Sequence, residues 1–569
     1  MSGKSGVALN YPSPIPPKSP SSDGCPSPWV SVPDLLHPDP FTRIDLDRVK
    51  DAIVFAFASG VSGGLFEDAL HQAILGPSTW EPETFAKDLF LGDFVTRCYQ
   101  VRIGGRPLVA NAGYLEKLLA HPPSDSSVVE FRREIASELA SSPELRAEFE
   151  QLYTLLCRFR GALEGAAGSK RFDSNRRQLE LLGQTKKIIG RMACGFGAAR
   201  SGLARLHAFA MRVQAAEPYQ SMAQLLQYDE HLATLNLRVR VGADGHIHGF
   251  EIAALKENVQ NAFVTSPWRR WLSKVELLLR GFRFGEGEVM ARLIDAVFDG
   301  ILPDVALFVQ LLGDMEFYLG TLGFRDVAKA AGLDVCLPEF VSADEPRVLQ
   351  GLFNPLLAAH GTHPVPCDFR TDAHSTTVLI TGPNSGGKTR LLQSIGLAQV
   401  LAHAGVFVPA KQARIAMCSR LVVSLIQETT ADQSEGRLGM ELIRIRALFE
   451  RLPPGAMVIL DELCSGTNPS EGEEIFELVI TVLARLTPQA FITTHFLNFT
   501  ARLERERKLG DLRFFQVQLD HHQQATYQFV DGVAQTSLAQ RAAERLGVTG
   551  DQLMSLVERN VAIASRPAE

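Results

Sequence analysis

The first half of the chain carries apolar residues at helical spacing. Between residues 128 and 139, apolar side chains recur at intervals of three and four, which places them on one helix face: Val128, Phe131, Ile135 and Leu139. The next helix is predicted to open at Ser142-Pro143-Glu144, a cap, a first-turn proline and an early acid. Its buried stripe is Leu145, Phe149 and Leu152. Residues 31–346 are therefore predicted to be mostly helical.

A short alternation of apolar and polar residues interrupts this helical pattern. Apolar residues alternate with polar ones from Leu235 to Val241, Asp244-Gly245 supplies a turn, and a second apolar stretch follows from Ile247 to Ile252. This pattern predicts a β-hairpin near 235–252.

The pattern changes near Arg347, where short apolar runs begin to alternate with helical segments. The runs lie at 378–380, 458–460 and 490–492. Apolar runs of this length between helices are typical of buried parallel strands. The predicted fold is therefore multidomain, with a mostly α-helical region followed by an α/β domain at 347–530 and a C-terminal helical segment at 531–569.

Composition sets the class of protein. With 569 residues, two to four domains are expected. Residues 1–30 are rich in Pro and Ser and are predicted to be a disordered tail. No unbroken run approaches the roughly 18 apolar residues of a membrane helix, and the N-terminus has no secretory pattern, so a cytoplasmic protein without a membrane span is expected.

Charge and cysteine content exclude two further classes. The net charge of −7 excludes a uniformly basic nucleic-acid binder, although a local basic surface is compatible with it. The eight cysteines include no C-x-x-C pair, so neither a zinc site nor a disulfide framework is indicated.

The strongest chemical signal is a phosphate-binding loop after the apolar run at 378–380. It consists of Gly382, Pro383, Asn384, Ser385, Gly386, Gly387, Lys388 and Thr389. In such a loop the backbone N–H groups surround the β-phosphate, Lys388 reaches the β- and γ-phosphates, and the Thr389 hydroxyl binds Mg²⁺. The sequence thus predicts ATP with Mg²⁺ as ligands, and an ATPase activity.

Two later segments complete the predicted catalytic set. Asp461 and Glu462 follow the apolar run at 457–460, so Asp461 is predicted to hold Mg²⁺ and Glu462 to polarise the attacking water. His495 follows the run at 490–492 and is predicted to sense the γ-phosphate.

With these pieces in order, the region from about 350 to 550 resembles the ATPase domain of the MutS family, a branch of the ABC-type ATPases. The resemblance rests on Thr-Gly-Pro-Asn at 381–384, Val-Pro-Ala at 408–410, and Asp-Glu followed by Gly466-Thr467. It implies a homodimer in which each nucleotide is capped by the other subunit, and a role in mismatch repair, other DNA repair or recombination. The helical region then resembles the family's core, lever and clamp, and the segment after 531 its dimerisation region.

The chain departs from the family pattern in two places. Where MutS-like proteins carry Gly-Arg-Ser-Thr-Phe, this chain has Gly436-Arg437-Leu438-Gly439-Met440, so the hydroxyl that reaches the partner's nucleotide is missing unless Ser434 replaces it. Slow hydrolysis is a consequence to test. The chain is also expected to lack the N-terminal mismatch-recognition domain and the C-terminal nuclease module found in relatives.

A local excess of basic residues indicates double-stranded or branched DNA as a partner. Between residues 170 and 212 the sequence has ten basic and two acidic residues, and a basic helical arm can neutralise phosphates without reading sequence. The predicted contacts are Arg176, Arg177, Lys186, Lys187 and Arg191. A solvated helix face explains the same charges equally well. The alternative function is a nucleotide-dependent switch that binds a protein partner without DNA.

Overall fold

The computed structural model describes residues 32–59, 63–164, 174–232, 236–241, 247–254, 286–425, 437–464, 468–486, 488–506, 512–535 and 550–564. The predicted tail at 1–30, Ser434, Gly436, Gly466-Thr467 and the whole segment 536–549 lie outside these residues. The described part is a helical region followed by an α/β region with a multi-stranded sheet, as the sequence predicts.

Helices dominate the first part of the chain. They are α1 (Leu46–Ser59), α2 (Leu65–His71), α3 (Leu91–Arg97), α4 (Ala112–Ala120), α5 (Ser126–Ser141), α6 (Pro143–Glu164), α7 (Ser174–Gly195), α8 (Ala204–Ala215), α9 (Glu217–Leu232) and α10 (Glu286–Ala330). The helices of the second part are α11 (Pro355–Ala359), α12 (Lys388–Ala404), α13 (Arg437–Arg451), α14 (Pro469–Leu483), α15 (Leu497–Glu506) and α16 (Gly550–Ala564).

The described strands form two two-stranded sheets in the first part of the chain and two larger sheets in the second. They are β1 (Arg102–Ile103), β2 (Arg106–Pro107), β3 (Asn236–Val241), β4 (Ile247–Ala254), β5 (Glu339–Val341), β6 (Arg347–Leu352), β7 (Cys367–Thr371), β8 (Thr377–Thr381), β9 (Gln412–Ala416), β10 (Leu421–Ser424), β11 (Met457–Leu460), β12 (Gln489–Thr493), β13 (Leu512–Leu519) and β14 (Ala525–Asp531). The strands β3 and β4 pair antiparallel where the alternation predicts a hairpin.

The junction of α5 and α6 follows its sequence signals. The Ser142 hydroxyl accepts a hydrogen bond from the backbone N–H of Leu145 at 3.3 Å, which satisfies one of the free N–H groups at the start of α6. Pro143 is the first residue of α6, a position where its missing N–H costs no hydrogen bond. The predicted stripe on α5 is buried at three of its four positions, and Phe131 is half-buried.

The centre of the helical region is α10, which packs against α1, α2, α4, α5, α6, α7 and α9. Within the described residues, its segment Ile294–Ala330 is the one helix long and apolar enough to cross a membrane, and most of it is buried inside the protein. A search for an unbroken apolar run misses it because Asp314 and Glu316 interrupt the run. Its packing on seven helices is that of a core helix.

A buried ion network fixes the start of the chain to α10. Both Asp34 and Asp314 accept hydrogen bonds from the Arg43 guanidinium, at 2.6 Å and 2.5 Å, and all three side chains are almost fully buried. Asp314 also accepts from the backbone N–H of Leu35 at 3.1 Å. Two buried carboxylates on one guanidinium satisfy a set of charges that would each be costly alone.

A third buried carboxylate, Glu316, leads us to expect an effect of pH on stability. Glu316 accepts hydrogen bonds from the Asn111 N–H at 2.8 Å and the Tyr153 hydroxyl at 3.1 Å. Burial raises the pKa of Glu316 to about 7. Because the folded-state pKa lies above the unfolded value of about 4.3, folding is favoured most below that value, and this contribution is lost as the pH rises through about 7.

We therefore expect the replacement Glu316→Gln to increase the free energy of unfolding, relative to wild type, more at pH 8 than at pH 5. A glutamine keeps an acceptor for Asn111 and removes the buried charge, so the stability gain at pH 8 is roughly 3 kcal/mol at about 1.36 kcal/mol per pKa unit. Thermal melts of both proteins at pH 5 and pH 8 measure it. An equal melting difference at the two pH values would show that Glu316 does not titrate in this window.

The larger sheet carries the candidate chemistry. Its strand order is β10-β11-β12-β8-β13-β14, and all neighbours pair parallel except β13 with β14. Every residue of β8, β11 and β12 is buried, as expected for central strands of a parallel sheet covered on both faces. The three apolar runs are thus confirmed as strands, and their carboxyl ends meet at one edge.

A second sheet of four strands, in the order β5-β9-β6-β7, lies beside it. The sequence does not predict this sheet, and its first strand, β5, precedes the expected boundary near Arg347. Val408-Pro409-Ala410 is buried next to it, where the Pro409 carbonyl accepts from the Phe353 N–H at 3.1 Å.

The helical region contacts the edge of the larger sheet directly. The Thr84 hydroxyl donates to the Leu421 carbonyl at 2.7 Å, and the Asp88 carboxylate accepts from the Leu425 N–H at 2.6 Å. Leu89 packs so closely on α12 that a Cβ at Gly396 would lie 2.6 Å from its side chain. The two halves therefore share one continuous core.

Candidate functional site

The loop at 382–389 connects β8 to α12 in the predicted strand, loop and helix order. Gly382 has φ +142°, and a Cβ there would lie 2.6 Å from the Val517 side chain, so no larger residue fits. Gly387, with φ +89°, directly precedes the first residue of α12. The N-terminus of this helix therefore faces the loop, an arrangement that binds phosphate.

Lys388 lies inside this loop. Its side chain is mostly buried, and its ammonium donates to the carbonyls of Gly382 at 3.0 Å and Pro383 at 3.2 Å. Burial lowers the pKa of Lys388, whereas the nearby carboxylates of Glu462 and Asp461 oppose that shift. The ammonium is thus held at the loop that would surround a phosphate chain.

Asp461 links the carboxyl ends of β11 and β12 to the first turn of α12. Its carboxylate accepts a hydrogen bond from the Thr389 hydroxyl at 2.6 Å, and it also accepts one from the Thr493 hydroxyl. The Thr493 hydroxyl in turn accepts from the backbone N–H of Glu462 at 2.9 Å. The network places a hydroxyl and a carboxylate, both hard oxygen ligands suited to Mg²⁺, next to the loop.

This donor set fits Mg²⁺ rather than a fully protein-ligated metal. The described residues contain no group of three or more His, Cys, Asp or Glu side chains that could hold an ion. Mg²⁺ typically takes only one or two protein ligands and completes its shell with phosphate oxygens and water. Thr389 and Asp461 are such a pair, and their role as Mg²⁺ ligands stays a prediction.

Glu462 stands at a strained turn after β11. Its φ is +48°, and Cys464 two residues later has φ +64°, so two non-glycine residues adopt left-handed backbone conformations here. Such conformations cost roughly 1 to 3 kcal/mol each and occur often at functional sites. The turn places Glu462 on the wall of the cavity beside the loop.

His495 lies on the protein surface, two residues after the end of β12. It follows β12, is exposed, and packs against Phe496 with ring centroids 4.3 Å apart. It is not among the residues lining the cavity. Its predicted contact with the γ-phosphate stays a prediction. Thr493 precedes it by two residues, and the sequence assigned it no role; its hydroxyl donates a hydrogen bond to the Asp461 carboxylate.

The cavity next to the loop has a volume of about 620 Å³, within the range of small-molecule sites. Asp461 and Glu462 are among the residues that line it. It is also lined by side chains that the sequence did not predict: Asn354, Leu357, His363, Val365, Tyr527 and Phe529. Tyr527 comes from β14 and lies against the loop, since a Cβ at Gly387 would be 3.2 Å from its ring.

The structure shows that several basic residues of the segment 170–212 are paired with groups inside the protein. Four of its arginines have partners inside the protein: Arg177 with the Ala162 carbonyl, Arg191 with Glu148, Arg205 with carbonyls of the segment 34–38, and Arg212 with Asp304. The side chain of Arg176 lies outside the described residues. Of the five predicted DNA contacts, Lys186 and Lys187 have no carboxylate partner within the described chain, and Lys187 is exposed.

The segment that departs from the family pattern is only partly described. α13 begins at Arg437, so Leu438, Gly439 and Met440 lie in its first turn. These residues therefore form the beginning of α13. That the missing hydroxyl slows hydrolysis of the partner's nucleotide stays a prediction.

Comparison with known proteins matches residues 378–559 to the family model for MutS domain V. The chain is 28% identical over 281 residues to the protein named endonuclease MutS2 of Streptococcus thermophilus, covering 47% of this chain and 33% of that protein. It is 28% identical over 284 residues to endonuclease MutS2 of Thermus thermophilus, covering 49% of this chain and 36% of that protein. The match thus spans about a third of the length of these relatives.

Proposed function

Because the chain belongs to the MutS family through its domain V, we propose that it binds Mg²⁺-ATP in the cavity at residues 382–389 and hydrolyses it. The hydrogen bond of 2.6 Å between Thr389 and Asp461, beside Glu462, carries this proposal. Thr389 in the loop and Asp461, 72 positions later, lie side by side. In phosphoryl-transfer enzymes with such a loop, a hydroxyl and a carboxylate of this kind hold the Mg²⁺ ion.

Each residue then has a distinct role. The backbone of the loop and the N-terminus of α12 bind the phosphates, and Lys388 exchanges its carbonyl partners for phosphate oxygens. Thr389 and Asp461 hold Mg²⁺, which neutralises charge on the β- and γ-phosphates when bound. Glu462 accepts a proton from the attacking water, and Thr493 fixes the Asp461 carboxylate and the Glu462 backbone.

The proposed assembly is a homodimer that couples hydrolysis to subunit rearrangement. In that dimer a partner subunit completes each nucleotide site from the segment around 434–440. Because Leu438 and Gly439 provide no hydroxyl there, we propose that turnover is slow without a further ligand.

We propose that this further ligand is double-stranded or branched DNA, in DNA repair or recombination. The support is electrostatic, because Lys186 and Lys187 on α7 have no carboxylate partner among the described residues, whereas Arg177 and Arg191 on the same helix have partners. The experiment is an ATPase assay with homoduplex, mismatched and branched DNA. We expect at least one of them to change the rate, and a rate indifferent to all three would remove the DNA role.

We expect the double variant Lys186→Glu/Lys187→Glu to lose most DNA affinity. Removing two phosphate contacts and adding two repulsive charges weakens binding by about tenfold or more at 50 mM salt and flattens its salt dependence. Electrophoretic mobility shifts at several salt concentrations measure both. Lys329→Glu/Lys411→Glu is the matched control, since both lysines are exposed and lie on other elements.

The second candidate is a nucleotide-dependent switch that binds a protein partner. Exposed apolar residues on α13 and α14, such as Ile443 and Leu478, favour a protein contact on the ATPase region. If the Lys186/Lys187 variant behaves like its control while nucleotide still changes the oligomeric state, this second function is favoured.

A further inference from the structure

A second cavity lies in the helical region, where the first segment of the chain meets α4 and α5. Its wall includes Leu36 and Arg43 from the first segment, Leu118 from α4 and Arg132 from α5. It shares no wall residue with the cavity at 382–389. Its volume of about 110 Å³ is below the roughly 300 Å³ at which small-molecule sites begin, so it fits a compact ion better than a nucleotide.

Two buried arginines bring unpaired N–H groups to this cavity. Arg43 and Arg132 are only 3% and 7% exposed. The Nη atoms of Arg43 contact Asp34 and Asp314, but its Nε has no hydrogen-bond partner among the described residues. Arg132 donates from Nε to the Leu36 carbonyl at 2.9 Å, and its Nη1 lacks a partner within the described chain. Buried charged donors are costly without a partner, so a bound water or ion is expected at both atoms.

The charges around the cavity favour an anion. Asp34 and Asp314 contact Arg43 from outside the cavity wall, and no carboxylate in the described part of the chain forms an ion pair with Arg132. The acid of the described wall, Asp125, is exposed, and its carboxylate accepts from the Ser127 N–H at 2.8 Å as the N-cap of α5. The N-terminus of this 16-residue helix adds partial positive charge.

We propose that this cavity binds one compact oxyanion of the phosphate type, held by Arg43 Nε and Arg132 Nη1. A tetrahedral oxyanion has several acceptor oxygens, so a single ion accepts charge-assisted hydrogen bonds from both guanidinium groups. It satisfies the two unpaired donors and links the first segment of the chain to α5. This site does not depend on the proposed nucleotide-binding function.

Equilibrium dialysis of the full chain against labelled inorganic phosphate tests this site. Excess Mg²⁺-ADP competes with phosphate for the loop at 382–389, and chloride keeps the ionic strength constant. We expect one phosphate per chain, with half-saturation on the order of 1 mM or below, because two charge-assisted hydrogen bonds hold it. Arg132→Gln should weaken binding by at least about tenfold, since it removes one charged donor.

The matched control is Arg133→Gln, the next residue on α5. Arg133 pairs with Glu130 at 2.8 Å and is not part of the cavity wall. Its replacement should leave phosphate affinity within about twofold of wild type.

A second variant fills the cavity and leaves both arginines in place. Gly76 lines the cavity, and the nearest atom to a Cβ at this position is Cδ2 of His37, 4.0 Å away. A larger side chain therefore enters without a backbone clash and occupies space that the ion needs. We expect Gly76→Leu to lose phosphate binding as well, which keeps the test decisive if Arg132→Gln does not fold.

Three results would overturn the proposal. Phosphate retained at wild-type affinity by either folded variant, Arg132→Gln or Gly76→Leu, would place the ion elsewhere. Loss of the bound phosphate in Lys388→Ala would place it at the loop at 382–389. No bound phosphate in wild type at about 10 mM would show that water satisfies the two arginines.

Discussion

Replacing Glu462 by glutamine is expected to leave ATP bound and almost unhydrolysed. The amide keeps the size and the strained turn at φ +48° but cannot accept a proton from water. General-base catalysis typically contributes about 10² to 10⁴ in rate, so steady-state turnover should fall by at least about 100-fold. ATP affinity should stay within a few-fold, because Lys388, Thr389 and the loop backbone are untouched.

The Glu462→Gln variant should also accumulate in the ATP-bound assembly. Filter retention of labelled ATP measures the bound nucleotide, and analytical ultracentrifugation with Mg²⁺-ATP measures the dimer. Glu67→Gln, an exposed glutamate on α2, is the control and should behave as wild type. Turnover by Glu462→Gln at the wild-type rate would show that another group activates the water.

Replacing Lys388 by alanine is expected to remove most nucleotide binding. The ammonium is already positioned in the loop by two carbonyls, and in the proposed complex it would contact the β- and γ-phosphates instead. A charged hydrogen bond of up to about 3 kcal/mol corresponds to roughly 100-fold in affinity. The melting temperature of wild type should rise with saturating Mg²⁺-ATP, and that of Lys388→Ala should not.

The fold of Lys388→Ala itself should be intact. Its ammonium is partly buried beside Asp461 and Glu462, so the variant without nucleotide should melt within a few degrees of wild type. Lys411→Ala, an exposed lysine before β9, is the matched control. An undiminished ATP-induced melting shift in Lys388→Ala would move the nucleotide away from this loop.

The sequence predicted the features that local patterns determine. The apolar run predicts the strand at 377–381, and the spacing of the glycines predicts the phosphate-binding loop that leads into the helix at 388–404. The same holds for β11 with Asp461 and for the capped start of α6. In each case the residues that form the feature are neighbours in the chain.

The features that it missed depend on residues far apart in the chain. Asp34, Arg43 and Asp314 meet only because α10 returns to the first segment. Tyr527 reaches the loop at Gly387 only through the pairing of β13 and β14. Spacing within one segment contains no information about such contacts.

The charge pattern is a third feature that the sequence predicts only in part. The excess of ten basic over two acidic residues between 170 and 212 is a property of composition. Composition does not reveal that Arg191 pairs with Glu148 on α6 or that Arg212 pairs with Asp304 on α10. The predicted DNA surface is thereby reduced to a few side chains of α7, with Lys186 and Lys187 as its testable part.

The central claim is that Glu462, placed beside Thr389 and Asp461, activates water for the hydrolysis of Mg²⁺-ATP. Single-turnover hydrolysis with protein in excess over γ-labelled ATP tests it most directly, because it detects one slow chemical event without product release. Wild type is expected to convert its bound ATP to ADP only when Mg²⁺ is present, while Glu462→Gln should retain intact ATP at least about 100-fold longer. Equal decay of bound ATP in the two proteins, or no decay in wild type with Mg²⁺ and each DNA form present, would contradict it.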